Sequence, residues 1–225
     1  MNNENVISRY KEVERTSTLR YSLYLIFKRC FDIVCSIIGL LVLIPLIIIV
    51  KVVYMLSGDF ERVFFVHKRI GKNGKEFRMY KFRTMVPNAE EILKEMLKDE
   101  KYKEEWEENH KFEKDPRITK IGGILRRTSL DEIPQVLNIL KGDMSIIGPR
   151  PMIQEEVDDY GKNKYKLLSM RPGLTGWWAC NGRSCTSNRQ RKKLELYYIE
   201  NCSILLDIKI IFKTVIAVLK RDGAK

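Results

Sequence analysis

Histidine is nearly missing from this 225-residue chain, which has two, and its five cysteines include no CxxC pair. A zinc site and a paired disulfide framework therefore lack their raw material. A histidine-based catalytic triad is all but excluded for the same reason. A cleavable signal peptide fits poorly: about 30 residues precede the one long apolar run, and no small-residue cleavage site follows it. Disorder is excluded by a hydrophobic content of 44%. What the chain has in excess is positive charge, 41 Lys and Arg against 29 Asp and Glu, for a net +12. At roughly 150 residues per domain, the length suits one compact domain or one domain with an appendage. The charge calls for an anionic partner in a reducing, cytosol-facing setting: nucleic acid, lipid headgroup or phosphorylated small molecule.

The apolar run Ile33 to Val50 is 18 residues without a formal charge, interrupted by Cys35, Ser36, Gly39 and Pro45. As a straight helix it reaches about 27 Å, slightly less than the roughly 30 Å hydrocarbon core. Lys28 and Arg29 precede it, and Lys51, Arg62, Lys68 and Arg69 follow it. Both flanks thus ask for the cytoplasmic side. Pro45 removes one helix hydrogen bond and bends the chain. Two topologies fit equally: a helix that breaks near Pro45 and leaves by the face it entered, or a single-pass anchor with a tolerated proline. Asp32 is placed to pair with Lys28 and Arg29 at the interface. Near the C-terminus, Leu205, Ile208, Phe212, Val215 and Leu219 recur at helical spacing among Asp207, Lys209, Lys213 and Lys220. That pattern suits an amphipathic helix on a membrane surface or one packed on a core.

Short strands follow from Arg62 onward. Val63–Val66 and Phe77–Phe82 flank Gly71-Lys72-Asn73-Gly74, and Asn73-Gly74 predicts a two-residue hairpin turn. Ala89 to Lys111 carries nine acids and five bases with a narrow apolar stripe, which predicts a solvated helix. Ile133, Val136, Leu137 and Leu140 predict a helix with one buried face, with Gly142 as its C-cap. Ser129 to Glu132 matches a capping box, and Pro134 makes a start at Asp131 the alternative. On this reading Asp131 and Glu132 are explained by capping and the helix dipole alone.

Arg150, Arg171 and Arg183 each sit in a turn bent or stiffened by Pro or Gly. A pre-set turn holds a guanidinium at low entropic cost, and its fork matches phosphate oxygens. With Lys81 and Arg83 at a strand end, the set reads as a polyphosphate clamp. Nucleic-acid binding wants exposed aromatics between its basic residues, and here most aromatics fall in strands or apolar runs.

Several motifs occur in one order: Lys28-Arg29-Cys30-Phe31-Asp32, Tyr80-Lys81-Phe82-Arg83-Thr84-Met85, Ser129-Leu130-Asp131-Glu132, Leu140-Lys141-Gly142-Asp143-Met144-Ser145, Gly148-Pro149-Arg150-Pro151, Arg171-Pro172-Gly173-Leu174-Thr175-Gly176 and Tyr197-Tyr198. Over about residues 25 to 223 the chain resembles the bacterial sugar transferases, the monotopic phosphoglycosyl transferases. The resemblance implies transfer of a sugar 1-phosphate from a UDP-sugar to a polyprenyl phosphate. It makes Asp131 the nucleophile, Glu132 its partner at Mg²⁺, and Arg150 a phosphate grip, a role extended to Arg171 and Arg183. It implies a mostly helical α+β fold with a re-entrant membrane helix, a small β-hairpin, and interfacial amphipathic helices around a catalytic helix N-terminus. The expected organisation is an N-terminal extension over residues 1–24, a re-entrant helix over 25–60 and a cytoplasmic catalytic domain over 61–225. The implied location is the bacterial inner membrane, with membrane lipids as partners, no nucleic acid, and a homo-oligomer or polysaccharide assembly proteins left open. Family members often carry Ser immediately before the membrane proline, whereas this chain has Ile44. The rival class is a non-catalytic, membrane-anchored basic module that binds nucleic acid or anionic lipid. Trp177 to Cys185 reads either as sugar-pocket lining or as a packed loop.

Overall fold

The computed structural model describes residues 19–109, 112, 114–182 and 186–219, so most of the expected 1–24 extension lies outside it. The fold is mostly helical, with a small antiparallel hairpin and a long apolar helix at its N-terminal end. That helix, α1, spans Leu19–Leu56 and continues through Pro45. It is long and apolar enough to cross a membrane.

The packing of α1 was not foreseeable from its hydropathy. One stripe is buried along nearly the whole helix: Tyr24, Lys28, Asp32, Ser36, Leu43, Val50 and Tyr54. These positions recur every three to four residues or at multiples of that step, as one helix face requires. Leu43, Val50 and Tyr54 pack with Phe82, Leu125 and Val136, while Tyr24 packs with Ile147, Tyr198 and Ile210. The helix therefore lies along the domain, with both ends bound to it. Its other faces, including Ile26, Val34, Ile38, Leu41, Ile44, Ile48 and Val52, are bare.

Lys28, Arg29 and Asp32 do not pair with one another at an interface. The Lys28 ammonium donates to Asp207 at 2.8 Å and to the Tyr198 hydroxyl at 3.1 Å, inside the fold. Arg29 donates to the carbonyls of Ile139 and Leu140, at 2.6 and 2.9 Å. Asp32 accepts from the Ser145 hydroxyl and the Ile146 N–H. All three dock α1 onto the domain.

The hairpin pairs β1 (Phe64–Ile70) with β2 (Glu76–Phe82) in register from Phe64–Phe82 to Ile70–Glu76. β1 runs on to Ile70, past the expected end at Val66, and the link is five residues, 71–75, rather than the two-residue turn expected at Asn73-Gly74. Asn73 and Gly74 both take positive φ, as the dipeptide predicts, but inside a short 3-10 turn. The acidic segment forms two helices rather than one, α2 (Ala89–Met96) and α3 (Glu100–Asn109). Then come α4 (Lys120–Arg127), a 3-10 segment Leu130–Gln135 and α5 (Val136–Lys141), so Pro134 divides the helix expected around Ile133 to Leu140.

A second, parallel strand pair joins β3 (Ser145–Ile147) to β4 (Gly173–Thr175). Between them lie α6 (Gln154–Asp158) and α7 (Lys164–Leu167). Gly148 and Gly173 are required here for space: a Cβ on Gly173 would stand 2.1 Å from the Gly148 nitrogen. That close approach brings the Gly-Pro-Arg-Pro and Arg-Pro-Gly motifs together. The fold ends with α8 (Asn188–Asn201) and α9 (Ile204–Leu219). On α9 the stripe Leu205, Ile208, Phe212 and Val215 faces outward, while Asp207 and Ile210 are buried. The core alternative for that stripe is thereby overturned.

Candidate active site

Asp131 and Glu132 lie in the first turn of the 3-10 segment ahead of α5. The residue before the segment, Ser129, turns the chain sharply: it has φ 57° and ψ 16° and makes no side-chain cap. The expected capping box is therefore not formed, because a left-handed Ser129 does not present its hydroxyl to the following N–H groups. A non-glycine residue held in that conformation costs of order 1–3 kcal/mol, and such strain clusters at working sites.

Lys81 on β2 stands over both acids, 2.7 Å from a Glu132 oxygen and 3.9 Å from Asp131. Asn138, fully buried on α5, sets this alignment. Its side-chain oxygen accepts from the Tyr80 N–H at 3.0 Å, and its amide donates to the Arg78 carbonyl at 2.7 Å. The edge of β2 is thus completed by a side chain of the helix that follows the acids. Arg126, at the end of α4, donates to the Thr84 hydroxyl at 2.9 Å and adds its charge to the field at Asp131. Burial pushes the Asp131 carboxyl above its ordinary range, and adjacent Glu132 adds to the rise, while Lys81 and Arg126 oppose it. A partly desolvated carboxylate flanked by two cations can serve as a nucleophile in its ionised form.

Two adjacent carboxylates suit Mg²⁺, which commonly takes one or two protein carboxylates and completes its shell with phosphate and water. The Lys81 ammonium against both acids shows that the position accepts a positive charge. Among the described residues, no cluster of three His, Cys, Asp or Glu stands ready for a metal.

The cross-strand pairs Phe65–Lys81, His67–Met79 and Arg69–Phe77 line one face of the hairpin. Arg69 is four residues from Phe65, about 13 Å at the usual strand rise. Arg69 donates to His67 Nδ1 at 3.2 Å and pairs with Glu156, as does Arg191. Arg150 neighbours this cluster, lying 5.4 Å over the Trp178 ring. One face of the hairpin thus carries Lys81 beside the acids and Arg69 beside Arg150.

The remaining expected clamp residues are dispersed. Arg83 is committed on every guanidinium nitrogen, to the Arg62 and Met85 carbonyls and to Asp59, and it stacks on Tyr54 at 4.8 Å. It ties the end of α1 rather than facing a substrate. Arg171 donates to the Gly142 carbonyl, beyond the far end of α5 from Asp131. Arg183 lies outside the described residues. Asn138 and Arg126 escaped the sequence reading. Arg126 offered one signal, a basic residue close ahead of the Asp-Glu pair; a polar residue on a helix otherwise read for its apolar face offered none.

The profile of the bacterial sugar transferase family matches residues 23–221. The chain is 44% identical over 198 residues to the undecaprenyl-phosphate galactose phosphotransferase of Salmonella typhimurium, covering 88% of this chain and 41% of that protein. It is 42% identical over 200 residues to the exopolysaccharide production protein ExoY of Sinorhizobium fredii, covering 88% of each. It is 34% identical over 226 residues to the UDP-N-acetylgalactosamine-undecaprenyl-phosphate N-acetylgalactosaminephosphotransferase of Aeromonas hydrophila, covering 97% of this chain and 50% of that one. The chain thus spans about two-fifths to one-half of several curated relatives and most of others.

Proposed function

The chain belongs to the bacterial sugar transferase family, and from that membership we propose that it moves a sugar 1-phosphate from a UDP-sugar to undecaprenyl phosphate, releasing UMP, to begin assembly of a surface glycan. The observation that carries this reading is the Asp131–Glu132 pair behind a left-handed Ser129, with Lys81 across both carboxylates. In the first step an Asp131 oxygen bonds to the β-phosphorus, the bond from that phosphorus to UMP breaks, and its electron pair leaves with UMP. In the second, an ionised phosphate oxygen of the lipid bonds to the same phosphorus and the bond to Asp131 breaks, restoring the carboxylate. The intermediate is a mixed anhydride, reactive enough to pass its phosphosugar on. Lys81 and Arg126 favour the ionised form of Asp131 against the rise that burial imposes. Asp131 and Glu132 would hold Mg²⁺, which neutralises charge on the diphosphate when bound. Arg150 grips a substrate phosphate.

The membrane seating we infer is monotopic and shallow, with the domain on the cytoplasmic face. Its support is mechanical: Lys28 near one end of α1 and Tyr54 near the other both bond to the same domain, to Asp207 and to the Arg83 carbonyl. A helix crossing the roughly 30 Å of hydrocarbon would put those anchors on opposite sides. The bare apolar faces of α1 and α9 then share one lipid-facing surface, at the depth where the lipid's phosphate lies. The test is Asp131→Asn in detergent-purified protein with a panel of UDP-sugars, Mg²⁺ and undecaprenyl phosphate. UMP release should vanish; release near the wild-type rate removes Asp131 as nucleophile. Steeply salt-dependent binding to DNA, with indifference to UDP-sugars, would instead support the non-catalytic basic module.

A further inference from the structure

Glu195 on α8 is 1% exposed, yet no step of the proposed reaction uses it. One of its carboxylate oxygens accepts from the Arg150 backbone N–H at 3.1 Å. Its other oxygen is buried without a hydrogen-bond partner among the described residues. As a stabilising contact this is poor, since a buried carboxylate with an orphan oxygen costs more than a well-packed apolar side chain. Its placement asks for a different explanation.

The turn supplies one. In Pro149-Arg150-Pro151 both prolines lack an N–H, so the Arg150 N–H is the sole backbone donor of the tripeptide. The Pro149 carbonyl is fixed separately by the Gly173 N–H at 2.8 Å. The Arg150 side chain is exposed and rests on the Trp178 ring, and among the described residues its guanidinium makes no hydrogen bond. The free guanidinium is thus aimed by two contacts: an indole face along its side and a buried acceptor behind its backbone.

We propose that Glu195 is the positioning residue for Arg150, its carboxylate oxygen locking the Pro149-Arg150-Pro151 turn so that the guanidinium meets the nucleotide α-phosphate already oriented. This rests on the reading of Arg150 as a phosphate grip. The element that matters is the acceptor oxygen, not the charge. Glu195→Gln keeps an acceptor in place, Glu195→Asp draws it back by one methylene, and Glu195→Leu removes it.

The experiment measures UMP affinity by titration calorimetry on the detergent-purified full chain, with each variant made in both the wild-type and the Arg150→Ala backgrounds. Expected are affinity near wild type for Gln, a loss of about tenfold for Asp and Leu, and no additional loss from either in the Arg150→Ala background. A general packing defect would weaken binding in both backgrounds and would not be rescued by Gln. If Leu fails to fold, Asp carries the comparison. Tight binding by Asp or Leu while Arg150→Ala binds weakly overturns the role of Glu195 and leaves the grip standing. UMP binding that ignores Arg150→Ala, or is absent from the wild type, overturns the grip and the positioning role together.

Discussion

Glu195 also makes a thermodynamic prediction that needs no substrate. Burial pushes its carboxyl from 4.5 up to about 7, with the Arg150 N–H and the charges of Arg150 and Arg191 opposing the rise. The folded state therefore binds a proton that the unfolded chain has already released over that interval. Stability contributed by this group is complete below pH 4.5, declines as pH rises, and levels off above about 7. The difference amounts to about 3 kcal/mol at 1.36 kcal/mol per pH unit. Glu195→Gln cannot titrate, so its stability relative to wild type should grow by about 3 kcal/mol between about pH 4.5 and pH 8. Any constant penalty from the new amide, about 1–3 kcal/mol, shifts both ends equally. At this chain length 1 kcal/mol moves Tm by roughly 2–4 °C, so the Tm gap should widen by about 6–12 °C across the range. Differential scanning fluorimetry of the two proteins in one detergent, over a pH series, reads this directly. A gap that stays constant with pH, or narrows as pH rises, refutes the burial argument. Other carboxyls titrate in both proteins and cancel in the difference.

Lys28→Met should cost about 3–5 kcal/mol, because it leaves the Asp207 carboxylate buried beside Tyr24 and Tyr198 without its cation. Thermal unfolding of Lys28→Met should show the loss, and adding Asp207→Asn should recover much of it; an additive further loss would deny the coupling. Replacing the outward-facing Leu205 and Phe212 by Glu should release a large fraction of the protein from membranes in flotation assays, with little change in Tm, since both side chains are mostly exposed. A Phe212→Trp variant whose emission fails to shift to the blue on vesicles would mean that α9 does not touch lipid.

The residues that make the hairpin legible are local: Asn73-Gly74 with apolar residues on either side. The expected two-residue turn was nevertheless too short, because the Asn73 N–H is claimed by the Leu168 carbonyl, nearly a hundred residues away in sequence. The helix after Asp131 was legible from its apolar spacing, but not its division at Pro134. Asp131, Glu132 and Lys81 are each picked out by motifs, and the packing of β2 against the 3-10 segment, tied by Asn138, brings them together. Arg83, two residues from Lys81, was grouped with it for the same motif and turned away. The difference is the neighbouring Asp59 and the Arg62 and Met85 carbonyls, which engage all three of its nitrogens.

By itself the sequence determined the charge balance, the long apolar segment, the acid pair and the order of the motifs, because those are properties of composition and spacing along one chain. Only the tertiary structure decided which charges serve the site and which serve the scaffold. Lys28 meets Asp207 across 179 residues, and Glu195 meets the Arg150 backbone across 45. A side chain's role is fixed by whichever donor or acceptor burial sets beside it, and periodicity carries no trace of a partner that distant.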